Sequence, residues 1–137
     1  MINSEYIYRI KSKFMGWKTL KAKGQQMKSK TKNRKSRAEI EKMVRACFGG
    51  LTLPPGEGSL IELEEGWFNA AYLISLSDGR EVVLKIAPPP HVEIMTYEHN
   101  IMRTEVAAMR LVAQNPTIPV PEIYAFDTSH TVCESDY

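Results

Sequence analysis

One lysine interrupts an otherwise apolar run, Val82-Val83-Leu84-Lys85-Ile86-Ala87. In an extended strand Val82, Leu84 and Ile86 share one face, while Val83, Lys85 and Ala87 share the other. Lys85 therefore places one ammonium on an apolar face. Such a lysine either snorkels to water along its stem or meets a carboxylate. Two carboxylates qualify. Glu105 has Ile101 and Met102 one helical turn before it and Ala108 and Met109 one turn after it; Glu98 stands beside Ile94, Ile101 and Met102. A carboxylate in an apolar stripe is costly unless paired, although either one could instead sit at the stripe's solvent margin. The two lie about 10 Å apart along a helix, so one lysine cannot bridge both, and the residues alone leave the choice open. A lysine pinned by a carboxylate is a fixed positive charge, suited to phosphate oxygens. Residues 65–69 could add to it: backbone amides around Gly66 can approach phosphate, and Asn69 can donate from its side chain. A single glycine is also what an ordinary hairpin turn contains.

The elements that must position these groups follow from periodicity and turn residues. Ile40, Met43, Val44 and Cys47 recur at helical spacing over residues 38–48. Ser36 with Glu39 forms a capping-box pattern, Gly49-Gly50 ends the helix, and Pro54-Pro55-Gly56 is a loop. Residues 59–65 read as a first strand, 70–77 as a second and 81–87 as a third. Asp78-Gly79 is a two-residue hairpin signal between the second and third. Residues 91–114 read as a helix of some six turns, with Ile94, Ile101, Met102, Ala108, Met109 and Val112 as its stripe. Residues 120–126 read as a short edge strand limited by Pro119 and Pro121, and residues 127–137 as a loop.

The chain has 137 residues and a net charge of +2, which conceals a strong asymmetry. Residues 1–37 carry twelve Lys/Arg and one acid, Glu5, for about +11; residues 38–137 carry six and fifteen, for about −9. Residues 1–37 are therefore expected to be a basic, disordered tail and residues 38–137 the folded domain. A solvated tail is preferred to a nucleic-acid contact, even with aromatics at Tyr6, Tyr8, Phe14 and Trp17. Cys47 and Cys133 make neither a disulfide framework nor a metal spacing, which suits a reduced, cytoplasmic chain. No apolar run approaches the length of a membrane span. His91, His99 and His130 lack catalytic-loop or zinc-site spacing, so no metal ligand is assigned.

Together these pieces resemble the amino-terminal lobe of the aminoglycoside phosphotransferase-like kinases. The matching segments are Glu64-Glu65-Gly66-Trp67-Phe68-Asn69, Ser77-Asp78-Gly79-Arg80, Val83-Leu84-Lys85-Ile86, Tyr97-Glu98, Thr104-Glu105-Val106-Ala107-Ala108 and Ile118-Pro119-Val120-Pro121-Glu122-Ile123. Each is weak, but their order over residues 38–137 is fairly specific. The resemblance implies an α+β, protein-kinase-like N-terminal lobe: an antiparallel sheet with a long packed helix. It implies transfer of a phosphoryl group from ATP (or GTP), with magnesium, to a small-molecule hydroxyl acceptor. Lys85 would then contact the α- and β-phosphates, Glu105 rather than Glu98 would hold Lys85, and Gly66 and Asn69 would cover the triphosphate. No catalytic residue or magnesium ligand is assigned, because the family's catalytic aspartates belong to a second lobe; a fragment inactive alone is expected. The fold family also has a further strand between the lysine strand and residues 120–126. Its position is expected to be open here, leaving an edge for self-association. The competing reading is a non-catalytic α+β interaction module that recruits a strand at that edge.

Overall fold

The structure, a computed structural model, describes residues 7–9 (backbone), 32–64, 68–94 and 100–137. A five-stranded antiparallel sheet lies between two helices. The elements are β1 (Ile7–Arg9), α1 (Arg37–Phe48), β2 (Leu60–Glu62), β3 (Ala70–Ser75), β4 (Glu81–Ile86), α2 (Ile101–Val112) and β5 (Glu122–Ile123). The sheet order is β2-β3-β4-β1-β5.

Strand alternation feeds two cores. On one face Ala70, Tyr72, Ile74, Leu76, Val82, Leu84 and Ile86 pack with Ile40, Met43 and Val44 of α1. On the other, Val83 packs with Met102 and Val106 of α2 and with Phe126, flanked by Leu63, Leu73, Ala87, Met109 and Ile123. β4 is covered on both sides, so it reads as a nearly continuous apolar run.

α1 begins and ends as its sequence dictates. Ser36 accepts from the Glu39 amide while the Glu39 carboxylate accepts from the Ser36 amide, and Gly49 at φ 59° closes the helix with its N–H donating to Arg45 O. The β3–β4 connection differs from the two-residue turn expected. Leu76 N–H donates to Arg80 O at 2.8 Å, enclosing residues 77–79, and Gly79 N–H donates to Leu76 O at 3.0 Å with Gly79 at φ 87°. This is a three-residue loop, a turn followed by a left-handed glycine bulge.

Three further elements differ from the sequence reading. The long helix expected over residues 91–114 is α2 alone in the described residues. Past Pro88-Pro89-Pro90 the chain turns, with Val92 N–H donating to Pro89 O at 3.1 Å, and α2 starts after Asn100 at φ 61°. A left-handed residue cannot continue a right-handed helix inward. The buried stripe is Met102 and Val106, with Glu105 and Met109 half-buried beside them; Ala108 faces solvent. Of the strand expected over residues 120–126, only Glu122–Ile123 enters the ladder.

The third difference concerns the basic segment. Ile7–Arg9 forms β1, in the position expected to be open between β4 and residues 120–126. An unpaired inner edge on β4 would leave a row of backbone groups without partners, and Ile-Tyr-Arg is a sequence that suits a strand. Specific contacts also start before Ala38. Lys35 N–H donates to the Tyr72 hydroxyl at 2.9 Å, and Arg34 Nε meets Glu62 Oε1 at 2.7 Å. Asn33, buried, donates to Ser135 Oγ at 2.9 Å and to Ala87 O at 3.2 Å.

The capping box makes a pH-dependent prediction. Hydrogen bonds from the Ser36 side chain and then its backbone hold the Glu39 carboxyl below its ordinary value of 4.5. A lowered carboxyl contributes stability above its unfolded pKa and loses it as pH falls through the folded value. Glu39→Gln, which keeps the hydrogen-bonding pattern but removes the charge, should therefore lower stability slightly at neutral pH and by less in acid, as measured by urea melts at the two pH values.

Candidate functional site

Lys85 stands on β4 opposite Ala71 of β3, a small neighbour that leaves room for a long side chain. Its strand position directs it to the α2 face, with Val83 and Ala87. Glu105 lies on α2 between the buried Met102 and Val106, one turn into the helix. Lys85 Nζ and Glu105 Oε1 are 2.5 Å apart, with side-chain exposures of 28% and 26%. The pair thus ties the central strand to the helix above it. A side chain three-quarters withdrawn from water loses hydration and needs its partner, yet one flank of the pair still opens to solvent, where a ligand can approach.

Asn69 stands immediately before β3. Its side-chain Oδ1 is buried and has no hydrogen-bond partner among the described residues. Gly66 and Glu98 lie outside the described residues. The structure therefore brings Lys85 and Glu105 together and sets Asn69 at the end of β3, whose next residue, Ala70, is paired with Ile86 beside Lys85.

Sequence reasoning missed the groups that hold α2 over β4. Arg103 Nε and a terminal guanidinium nitrogen meet the two Asp136 carboxylate oxygens at 2.8 and 3.2 Å. Asp136 also meets His130 Nε2 at 2.7 Å, and its backbone oxygen accepts from Ala87 N–H at 2.9 Å. The Asp136 carboxylate raises Arg103 above its ordinary value, first by hydrogen bonding and then by charge. Asp136 is thus bonded at once to the end of the lysine strand and to the glutamate helix, two residues from Glu105. Asp127 is buried, with Oδ1 accepting from Ser129 N–H at 2.6 Å. Both aspartates are occupied in holding the fold. No local spacing signals such long-range bonds.

Elsewhere, a small cleft lined by Lys35, Glu39, Met43, Val132, Cys133 and Glu134 lies on the α1 side of the sheet, away from Lys85. Burial raises the Cys133 thiol pKa, which makes it an inert core group. Among the described residues, no three His, Cys, Asp or Glu side chains are grouped to hold a metal, and no helix is long and apolar enough to cross a membrane.

An antiparallel α+β fold with a lysine–carboxylate pair between sheet and helix defines the class, and comparison supplies the family. Residues 59–137 match the phosphotransferase enzyme family, APH, and the chain belongs to it. Two curated proteins, the subtelomeric hrmA-associated cluster proteins of two Aspergillus fumigatus strains, are each 33% identical to it over 70 residues. The aligned part is 51% of this chain and 13% of each relative. No solved structure matches the chain.

The ion pair should be measurable by itself. Lys85→Met and Glu105→Gln are each expected to cost about 1–2 kcal/mol, with a coupling of about 1 kcal/mol in a double-mutant cycle. Chemical denaturation of the four variants, wild type included, checks this; additive costs would show that the contact carries no energy.

Proposed function

We propose that this chain carries the nucleotide-gripping part of an ATP-dependent small-molecule phosphotransferase, in a protein-kinase-like amino-terminal lobe. The observation that carries the reading is the Lys85–Glu105 pair, formed between β4 and α2 within the residues that match the family. A lysine held by a helical glutamate keeps its ammonium fixed before ligand arrives, and phosphoryl transfer depends mainly on such positioning and charge stabilisation. In this reading Lys85 contacts the α- and β-phosphates and Glu105 orients it. Asn69 contributes from the turn before β3, where its side-chain amide donates to phosphate. Gly66 allows the backbone to come close.

The bound nucleotide is ATP or GTP with magnesium, which neutralises phosphate charge when present. Lys85 suits the phosphates electrostatically, and the described residues offer no carboxylate cluster for the metal. Lys85 and Glu105 hold phosphate in this reading, and the acceptor is a small-molecule hydroxyl. The chain spans 13% of the length of its curated relatives, so acceptor choice and turnover are proposed for a larger assembly of residues than those described.

Calorimetric titration of magnesium–ATP into the purified chain tests the reading. Binding is expected, weakened by about tenfold or more in Lys85→Ala, which corresponds to about 1.4 kcal/mol. Glu105→Gln should weaken it less, because Lys85 is then present but less fixed. Equal affinity in wild type and Lys85→Ala, with both folded by circular dichroism, would refute the assignment.

A further inference from the structure

β1 holds the sheet together from an unusual place in the chain. Its residues pair with Leu84, Val83 and Val82 of β4 on one side and with Ile123 and Glu122 of β5 on the other. Among the described residues β5 has no other neighbour in the sheet. The meander β2-β3-β4, by contrast, joins strands that are adjacent in sequence. Residues 10–31 separate β1 from the next described residue, Lys32.

The lane between β4 and β5 is built from both ends of the described chain. At one end, Ala87 N–H donates to Asp136 O at 2.9 Å, and Asp127 and Tyr137 exchange backbone hydrogen bonds of 2.9 and 3.2 Å. At the other end lies β1. A three-residue strand gains few ladder bonds, while ordering it costs about 1–2 kcal/mol per residue. An identical strand from a second copy would make the same bonds to the same lane. Fully extended, residues 10–31 span up to about 70 Å, enough to reach a neighbouring copy. Charge favours the encounter: residues 1–31 carry about +7 and residues 32–137, which include the contacts of Asn33, Arg34 and Lys35 with the body, about −5, so the basic segment of one chain is attracted to the acidic body of another.

We propose that the lane between β4 and β5 is a strand-acceptor site that accepts Ile7–Arg9 from a second copy of this chain, giving a reciprocally exchanged dimer as concentration rises. The proposal is independent of nucleotide binding.

The test uses the full chain with Cys47→Ser and Cys133→Ala as background. One preparation carries Tyr8→Cys and another Val83→Cys, positions that are Cα partners across the β1–β4 ladder. The two are mixed and treated with a short thiol–thiol cross-linker. A covalent dimer containing one chain of each kind is expected, increasing with concentration. A chain carrying both substitutions should close on itself when dilute. No mixed dimer at any concentration, or a double variant that never cross-links, overturns the proposal. Because replacing buried Cys133 can disturb folding, light scattering on the unsubstituted chain runs in parallel. There a dimer that dissociates on dilution and is lost on deletion of residues 1–10 is expected. A dimer that survives the deletion, or a monomer at every concentration, overturns the proposal.

Discussion

Burial of β4 on both faces is the constraint from which the rest of the molecule follows. Val82, Leu84 and Ile86 are fully buried against α1, and Val83 is buried against α2. A strand so enclosed has room for few polar side chains, and Lys85 occupies an inner-face position on it. Its charge then determines what can lie above. The helix on that face must offer a carboxylate at that height, and Glu105 does so from between Met102 and Val106. Apolar packing and the ion pair thus share one helix face, and the hydrophobic neighbours that exclude water also strengthen the electrostatic contact.

The end of β4 is as constrained as its centre. Ala87 receives a hydrogen bond from Asn33 at its oxygen and gives one to Asp136 from its amide; Ser135 Oγ, itself bonded to Asn33, donates to Pro88 O at 2.9 Å. Residues 32–36, the end of β4 and the final described residues meet there. Asp136 passes the constraint to α2 through Arg103. The site pair is therefore positioned by groups outside the meander: Asn33, upstream of the residues that match the family, and Arg103, Ser135 and Asp136, within them.

These relations explain what could be read in the sequence. The β2-β3-β4 meander and the capped α1 are encoded by local signals: alternation, Asp78-Gly79, the Ser36–Glu39 box and Gly49. Lys85 stood out because it broke an apolar run. Its partner did not, because Glu98 and Glu105 fit the same stripe; resemblance favoured Glu105, and the structure pairs that residue. The helix was overread at residues 91–94 and at Asn100, which lies in the left-handed region, because apolar periodicity does not register the backbone; residues 95–99 of that reading lie outside the described residues. β1 was missed because three residues in a basic segment carry almost no pattern, and its pairing is entirely non-local. The Asp136 and Asn33 bonds are invisible for the same reason.

The central claim, that Lys85 and Glu105 form a phosphate-holding site, is tested most directly by chemical-shift mapping. Magnesium–ATP would be titrated into the isotopically labelled chain and each residue followed. Saturable shifts concentrated at Lys85, Glu105, Asn69 and the facing residues of β3 are the predicted result. Shifts confined to the lysines of residues 11–35, with Lys85 and Glu105 unmoved, would show that ATP is only attracted to the basic segment and would contradict it.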